Sequence, residues 1–116
     1  MMDTNKYYDM QKKLVYPDKP KKPRLPDRAT PDHIRQYANE IEKYNDEKTA
    51  WLGEYEEYRK GIAKIEAEFR ADLLTELNIE NHPKAGKLFA MAWSKGHSGG
   101  YGDVWAEACD LVELIR

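Results

Sequence analysis

Residues 16–45 read YPDKPKKPRLPDRATPDHIRQYANEIEKYN, and the two halves of this stretch decide the fold. Pro17, Pro20, Pro23 and Pro26 recur at a spacing of three. A polyproline II helix has three residues per turn, so the four prolines share one edge of a rod over residues 17–26. Lys19, Lys22 and Leu25 fall on a second edge, and Asp18, Lys21 and Arg24 on the third. Such a rod has no internal hydrogen bonds and keeps its place in a fold by packing its proline edge on aromatic rings. The second half opens a helix. Thr30 is a good N-cap, Pro31 suits the first helical position, and Asp32 favours the positive end of the helix dipole.

From Ile34 the apolar residues advance in steps of three and four: Ile34, Tyr37, Ile41, Tyr44, Lys48, Trp51, Tyr55, Tyr58, Ile62, Ile65 and Phe69. All but Lys48 are apolar or aromatic, which makes a heptad seam of the coiled-coil kind. Leu73, Leu74 and Leu77 continue it. Asn78 and Asn81 then favour a stop, and Pro83 cannot sit inside a helix. The sequence therefore predicts one helix over about 31–77, on the order of 70 Å at 1.5 Å per residue. Gly53 and Gly61 each cost about 1 kcal/mol in a helix, so a bend at either stays open.

Rod and helix are commensurate. Prolines on one edge recur every ~9.3 Å, and seam residues one heptad apart recur every ~10.5 Å. Pro17, Pro20 and Pro23 are thus expected between Tyr37, Tyr44 and Trp51; a solvated linker is the alternative. Residues 16–45 also resemble the hairpin of pancreatic polypeptide and neuropeptide Y, through Tyr16-Pro17, Pro20, Pro23, Ala29-Thr30-Pro31 and the phase of Ile34, Tyr37, Ile41 and Tyr44. In those hormones a polyproline rod turns back along an amphipathic helix and its prolines interleave with helix tyrosines. The turn here is about two residues longer and holds Pro26. The resemblance implies the hairpin and not the hormone activity, because the chain lacks a secretion signal and runs on well past the hairpin.

Two shorter helices are expected after the long one. The first, about 83–95, has Leu88, Phe89, Ala92 and Trp93 on its apolar side. Gly96, Gly99, Gly100 and Gly102 then break or loosen the chain, as a hinge or as a close contact between backbones. The last, about 103–116, carries Val104, Trp105, Ala108, Leu111, Val112 and Ile115 at helical spacing. The expected fold is all-α: an N-terminal segment, 1–30, with its rod folded back on the long helix of a helical domain, 31–116.

Residues 92–104, AWSKGHSGGYGDV, are similar to a stretch in small accessory proteins of tailed bacteriophages. There an Ala-Trp, a Gly-His-Ser, then a Gly, an acid and a Val precede a closing apolar helix, and the YPxKPxKP rod also looks like that group. The resemblance implies no reaction. It implies a viral protein in the host bacterial cytoplasm, where such proteins bind and disable a host or defence protein.

The chain has 116 residues and a formal net charge of −2, with 34% of residues charged and 41% hydrophobic. The charge is segregated. Residues 1–30 hold eight basic and four acidic groups, and residues 31–81 hold seven and thirteen. Self-complementarity between arm and helix is one reading. The other is an accessory factor whose basic arm, Lys19, Lys21, Lys22 and Arg24, holds nucleic-acid phosphates; the acidic helix would repel a duplex. No apolar run spans a bilayer, and one cysteine, Cys109, cannot form an internal disulfide.

His97-Ser98, with Asp103 and Cys109 near in sequence, resembles the ingredients of a triad, but adjacent residues in a glycine-rich break suit a helix cap better than a nucleophile and base. His33, His82 and His97 show no ligand spacing, and the glycines form no phosphate loop. We therefore expect no enzyme, catalytic residue, metal or cofactor. The expected partner surfaces are aromatic. Trp51, Tyr55 and Tyr58 should be left partly bare by helices too short to cover the seam, inviting a homodimer or a protein partner. Trp93, His97, Tyr101 and Trp105, spaced four apart, should form one ridge if the glycine break is slight; otherwise Trp93 and Trp105 fill the core while His97 and Tyr101 cap or cover it.

Overall fold

Five elements follow in order in the computed structural model, which describes residues 2–116: α1 (Asn5–Lys12), α2 (Pro31–Glu76), α3 (Ala85–Gly96), a 3-10 turn (His97–Gly99) and α4 (Tyr101–Val112). Among the described residues there is no strand. The protein is all-α, with a proline-rich rod folded back on one long helix and two shorter helices after it. Gly53 and Gly61 leave α2 uninterrupted. Its residues belong to two units, one built from residues 2–14 and 61–116 and the other from 15–60.

In the larger unit, Ile65, Phe69, Leu73 and Leu74 of α2 are buried, spaced so that they form one stripe. Against them pack Leu88 and Ala92 of α3 and Val104, Ala108, Leu111 and Val112 of α4. The end of α2 is set by Asn78, which takes the left-handed conformation at φ 58°. The Ile79 amide donates to the Leu74 carbonyl at 3.0 Å and the Asn78 amide to Thr75 at 3.0 Å. That pair of bonds is a Schellman stop, and the buried Leu74 and Ile79 supply its apolar clasp. The Arg116 guanidinium adds a cap on the Leu77 carbonyl at 3.2 Å. α3 starts at Ala85, two residues beyond Pro83, because the His82 carbonyl and ring accept from Ala85 and Lys84 and hold 82–85 as a turn.

The glycine segment resolves into two roles. Gly96 is a close contact: a Cβ built there would lie 2.7 Å from the backbone nitrogen of Val104, so α3 and α4 meet backbone to backbone. Gly100 is the turn itself, at φ +100°, where L side chains are strained. α4 therefore begins at Tyr101, two residues before the expected start.

α1 is an element that the sequence pattern did not reveal. Tyr7, Met10 and Leu14 are spaced three and four apart, but eight residues are too few for a periodicity to stand out. Tyr7 anchors it. Its ring is 2% exposed and meets Phe69 edge-on at 4.9 Å, and its hydroxyl donates to Asp72. Beside it the Lys6 ammonium bridges Glu68 at 3.0 Å and Asp72 at 3.4 Å. Leu14 closes the segment over Gly61, where a Cβ would fall 2.8 Å from the leucine.

In the smaller unit, residues 15–26 adopt neither helix nor strand. Pro17 is buried and Pro20 and Pro23 are half-buried. The Trp51 indole donates to the Pro17 carbonyl at 3.0 Å, Pro23 shares a shallow groove with Tyr44, and Pro26 shares another with Tyr37. The rod thus runs antiparallel to the helix, in a register that enlists Pro26 to reach Tyr37. At the turn, the Thr30 hydroxyl accepts from the His33 amide and the His33 ring accepts from the Thr30 amide, both at 3.2 Å. This reciprocal pair is a capping box with histidine in the usual place of glutamate.

Candidate functional site

α3 carries a ladder of rings on the larger unit. Phe89 and Trp93 stack with centroids 5.9 Å apart, and Trp93 and His97 with centroids 6.0 Å apart at 14°. The four-residue spacing puts these rings one above another on one helical face. His97 Nδ1 lies 2.8 Å from the Trp93 carbonyl oxygen, which holds the imidazole flat on the indole. A carbonyl only accepts, so Nδ1 carries the hydrogen and Nε2 is left as an acceptor in the neutral ring.

Trp93 and His97 form one wall of a cleft of about 450 Å³. Tyr8 and Gln11 of α1, Glu66 of α2 and the backbone of the 3-10 turn close the rest. Tyr8 meets Tyr101 edge-on at 5.1 Å, and its hydroxyl lies over Gly100, where a Cβ would collide with it. Tyr101 forms the floor, 6% exposed, its ring touching those of Tyr7, Phe69 and Trp93. Ser98 lies on the rim. Three segments far apart in sequence therefore build the cleft, each held by its own anchor: Tyr7 for α1, the Phe69 stripe for α2 and Gly96 for α3.

The expected ridge of four rings forms only in part. The 3-10 turn and the positive φ of Gly100 end the helical register after His97, so Trp93, His97 and Tyr101 come together around a bend. Trp105 packs against the core and is absent from the cleft. Tyr8, Gln11 and Glu66 are cleft residues that sequence reading missed. Neither Tyr8 nor Glu66 carried a signal: α1 is too short for a period to stand out, and Glu66 is one of many glutamates on α2.

Trp51, Tyr55 and Tyr58 are in the smaller unit, where the rod covers part of them. All three are half-buried. Tyr16 meets Tyr55 and Tyr58 edge-on at 5.9 and 5.1 Å, Trp51 stacks on Tyr55 at 5.1 Å, and the Lys19 ammonium lies 5.8 Å over the indole. The rod reaches farther along the seam than the proline count implied, because Tyr16 precedes the first proline and adds its own ring. The basic arm is exposed along its length. Lys21 shares its groove with Glu40 and Glu47, and Arg24 shares the next with Glu40, so two of its four cations face acidic side chains of this chain.

The titratable groups fit a structural setting. Burial, then the Asp72 carboxylate, pushes the Tyr7 hydroxyl well above its ordinary value. The Glu68 and Asp72 carboxylates hold Lys6 upward. Burial, then Asp110, pushes the Cys109 thiol up, away from the thiolate that nucleophilic chemistry needs. His33 and His82 are engaged in local turns. Among the described residues no helix is long and apolar enough to cross a membrane.

A family model described as "Family of unknown function (DUF8546)" matches residues 5–116. The chain belongs to this family. The DUF8546 match takes in α1 and the rod as well as the three later helices, so both faces of the cleft and both sides of the hairpin lie within it. No curated protein matches the chain, and no solved structure does.

Proposed function

We propose that this chain is a non-enzymatic protein that binds and modulates a bacterial protein, in the manner of a small accessory protein of a tailed bacteriophage. The observation that carries this reading is the cleft beside Trp93. A half-buried tryptophan and an exposed histidine stack at its edge, a buried tyrosine floors it, and the helices around it are tied to one core. Tryptophan and tyrosine dominate binding hot spots because they bury much area with few rotatable bonds, and a fixed scaffold lowers the entropy cost of using them. The phage setting rests on the AWSKGHSGGYGDV resemblance. Glu40 and Glu47 line the same grooves as Lys21 and Arg24, which supports self-complementarity over a nucleic-acid arm.

The test is affinity capture from bacterial lysate with and without nuclease, using the native chain and a His97→Ala, Gln11→Ala variant. Both side chains line the cleft, His97 exposed and Gln11 half-buried, and neither is part of the core. Tyr101 is left intact because it is core. The reading expects one stoichiometric protein that survives nuclease and is at least tenfold depleted with the variant, the scale of a modest hot spot. Loss of every partner with nuclease would move the function to nucleic acid.

A further inference from the structure

Among the described residues, the one carboxylate or ammonium-type charge lining the cleft is a carboxylate. Glu66 brings a carboxylate that makes no hydrogen bond or ion pair among the described residues. Nδ1 of His97 is committed to the Trp93 carbonyl, which leaves Nε2 as an acceptor in the neutral ring. The rest of the lining is the rings of Trp93, Tyr8 and Tyr101, together with Gln11, Ser98 and the two glycines of the turn. Acceptors and π-faces together favour a donor-bearing cation. The ladder already accepts one such group. At its far end the Arg70 guanidinium lies 5.7 Å over the Phe89 ring, in place of pairing with Glu66 one turn back on the same helix. The near end, Trp93 and His97, has no such cation among the described residues.

We infer that this cleft is a guanidinium site that takes an arginine side chain of the partner protein, stacked on the Trp93–His97 ladder and paired with Glu66. Arginine fits better than lysine on two counts. Its planar guanidinium stacks on rings, and its fork matches a carboxylate through two parallel bonds. The alternatives are weaker. The apolar groove between α3 and the end of α4, with Met91 and Leu114 exposed, has nothing on it to identify a partner. The Ala63, Ala67, Ala71 side of α2 is a small-residue stripe only.

The inference rests on the protein-binding reading above, and its test is independent of any partner. The full chain is titrated with N-acetyl-arginine amide while the three indole N–H signals are followed by NMR. Trp51, hydrogen-bonded to Pro17, and Trp105 serve as internal references. A saturable shift confined to Trp93 is expected, with a dissociation constant of about 1–10 mM, ordinary for one side chain alone. N-acetyl-citrulline amide, uncharged and of the same shape, should bind at least about tenfold more weakly, as should the Glu66→Gln variant to the arginine probe. Unchanged Trp51 and Trp105 signals in that variant show that it is folded. Three outcomes overturn the inference: no saturable Trp93 shift, citrulline as good as arginine, or an unaffected Glu66→Gln. An equal response to N-acetyl-lysine amide overturns the guanidinium assignment. If the probe fails while the cleft variant still loses its captured protein, the protein-binding reading stands and this one falls.

Discussion

Tyr7 shows how one side chain can tie a segment to a core and make that tie sensitive to pH. Its ring is buried and its hydroxyl donates to Asp72, so ionisation removes the donor and places a second negative charge beside the carboxylate. Because the folded-state value lies above the ordinary 10.0, the stabilisation is whole below about pH 10 and is lost as pH rises toward the folded-state value. Lys6, held upward by Glu68 and Asp72, acts in the same direction from its ordinary 10.5. Tyr7→Phe should cost about 1 kcal/mol at pH 8 and should flatten the decline of stability above pH 10. Urea melts of both proteins at pH 8 and at pH 10.5 measure this, and parallel declines would contradict it. The glycines give a second comparison. Gly100→Ala meets a positive φ and the Tyr8 hydroxyl, and Gly96→Ala meets the Val104 backbone, so each should destabilise by about 1–3 kcal/mol. Gly53 has nothing within 4 Å, so Gly53→Ala should stabilise its helix by up to about 1 kcal/mol.

At the scale of elements, the sequence was legible where a period repeats and opaque where contacts are long-range. The rod and the seam of α2 repeat often enough for their spacing to be counted, and Thr30, Pro31 and Asn78 mark helix ends by local chemistry that needs no tertiary partner. α1 was missed because two turns are too short for a period, and its stability comes from Phe69 and Asp72, more than fifty residues away. The ridge through Trp105 failed because a four-residue spacing describes a face only while the helix lasts, and Gly100 ends it. The cleft was half legible for the same reason: the α3 ladder follows from spacing, whereas Tyr8 and Glu66 arrive by packing. The rod itself can be tested. Pro17→Ser, Pro20→Ser and Pro23→Ser together should loosen it from Trp51 and Tyr44, at about 1 kcal/mol for each half-buried or buried ring. Hydrogen exchange in residues 37–51 should speed up accordingly. Unchanged protection would mean that this stretch of α2 does not depend on the rod.

For the whole molecule, the question is what becomes of the aromatic seam. As a sequence it is a surface for self-association, since Trp51, Tyr55 and Tyr58 on one face invite a second copy. In the structure Tyr16, Pro17 and Lys19 already occupy those rings, and Lys48 interrupts the seam with an exposed charge. The chain thus supplies in cis part of the cover that a coiled-coil partner would supply in trans. The large hydrophobics that remain exposed on α2 are scattered, Ile34 near its start and Leu52 on the flank of the seam. The native chain should therefore sediment as a monomer, and Tyr16→Ala combined with the three proline changes should shift it toward dimer by uncovering the rings. Sedimentation velocity over a hundredfold concentration range separates the outcomes. A native dimer would show that the seam pairs despite the rod. A variant that stays monomeric would assign the monomeric state to the acidic flanks of α2, whose like charges repel a second copy, and not to the cover.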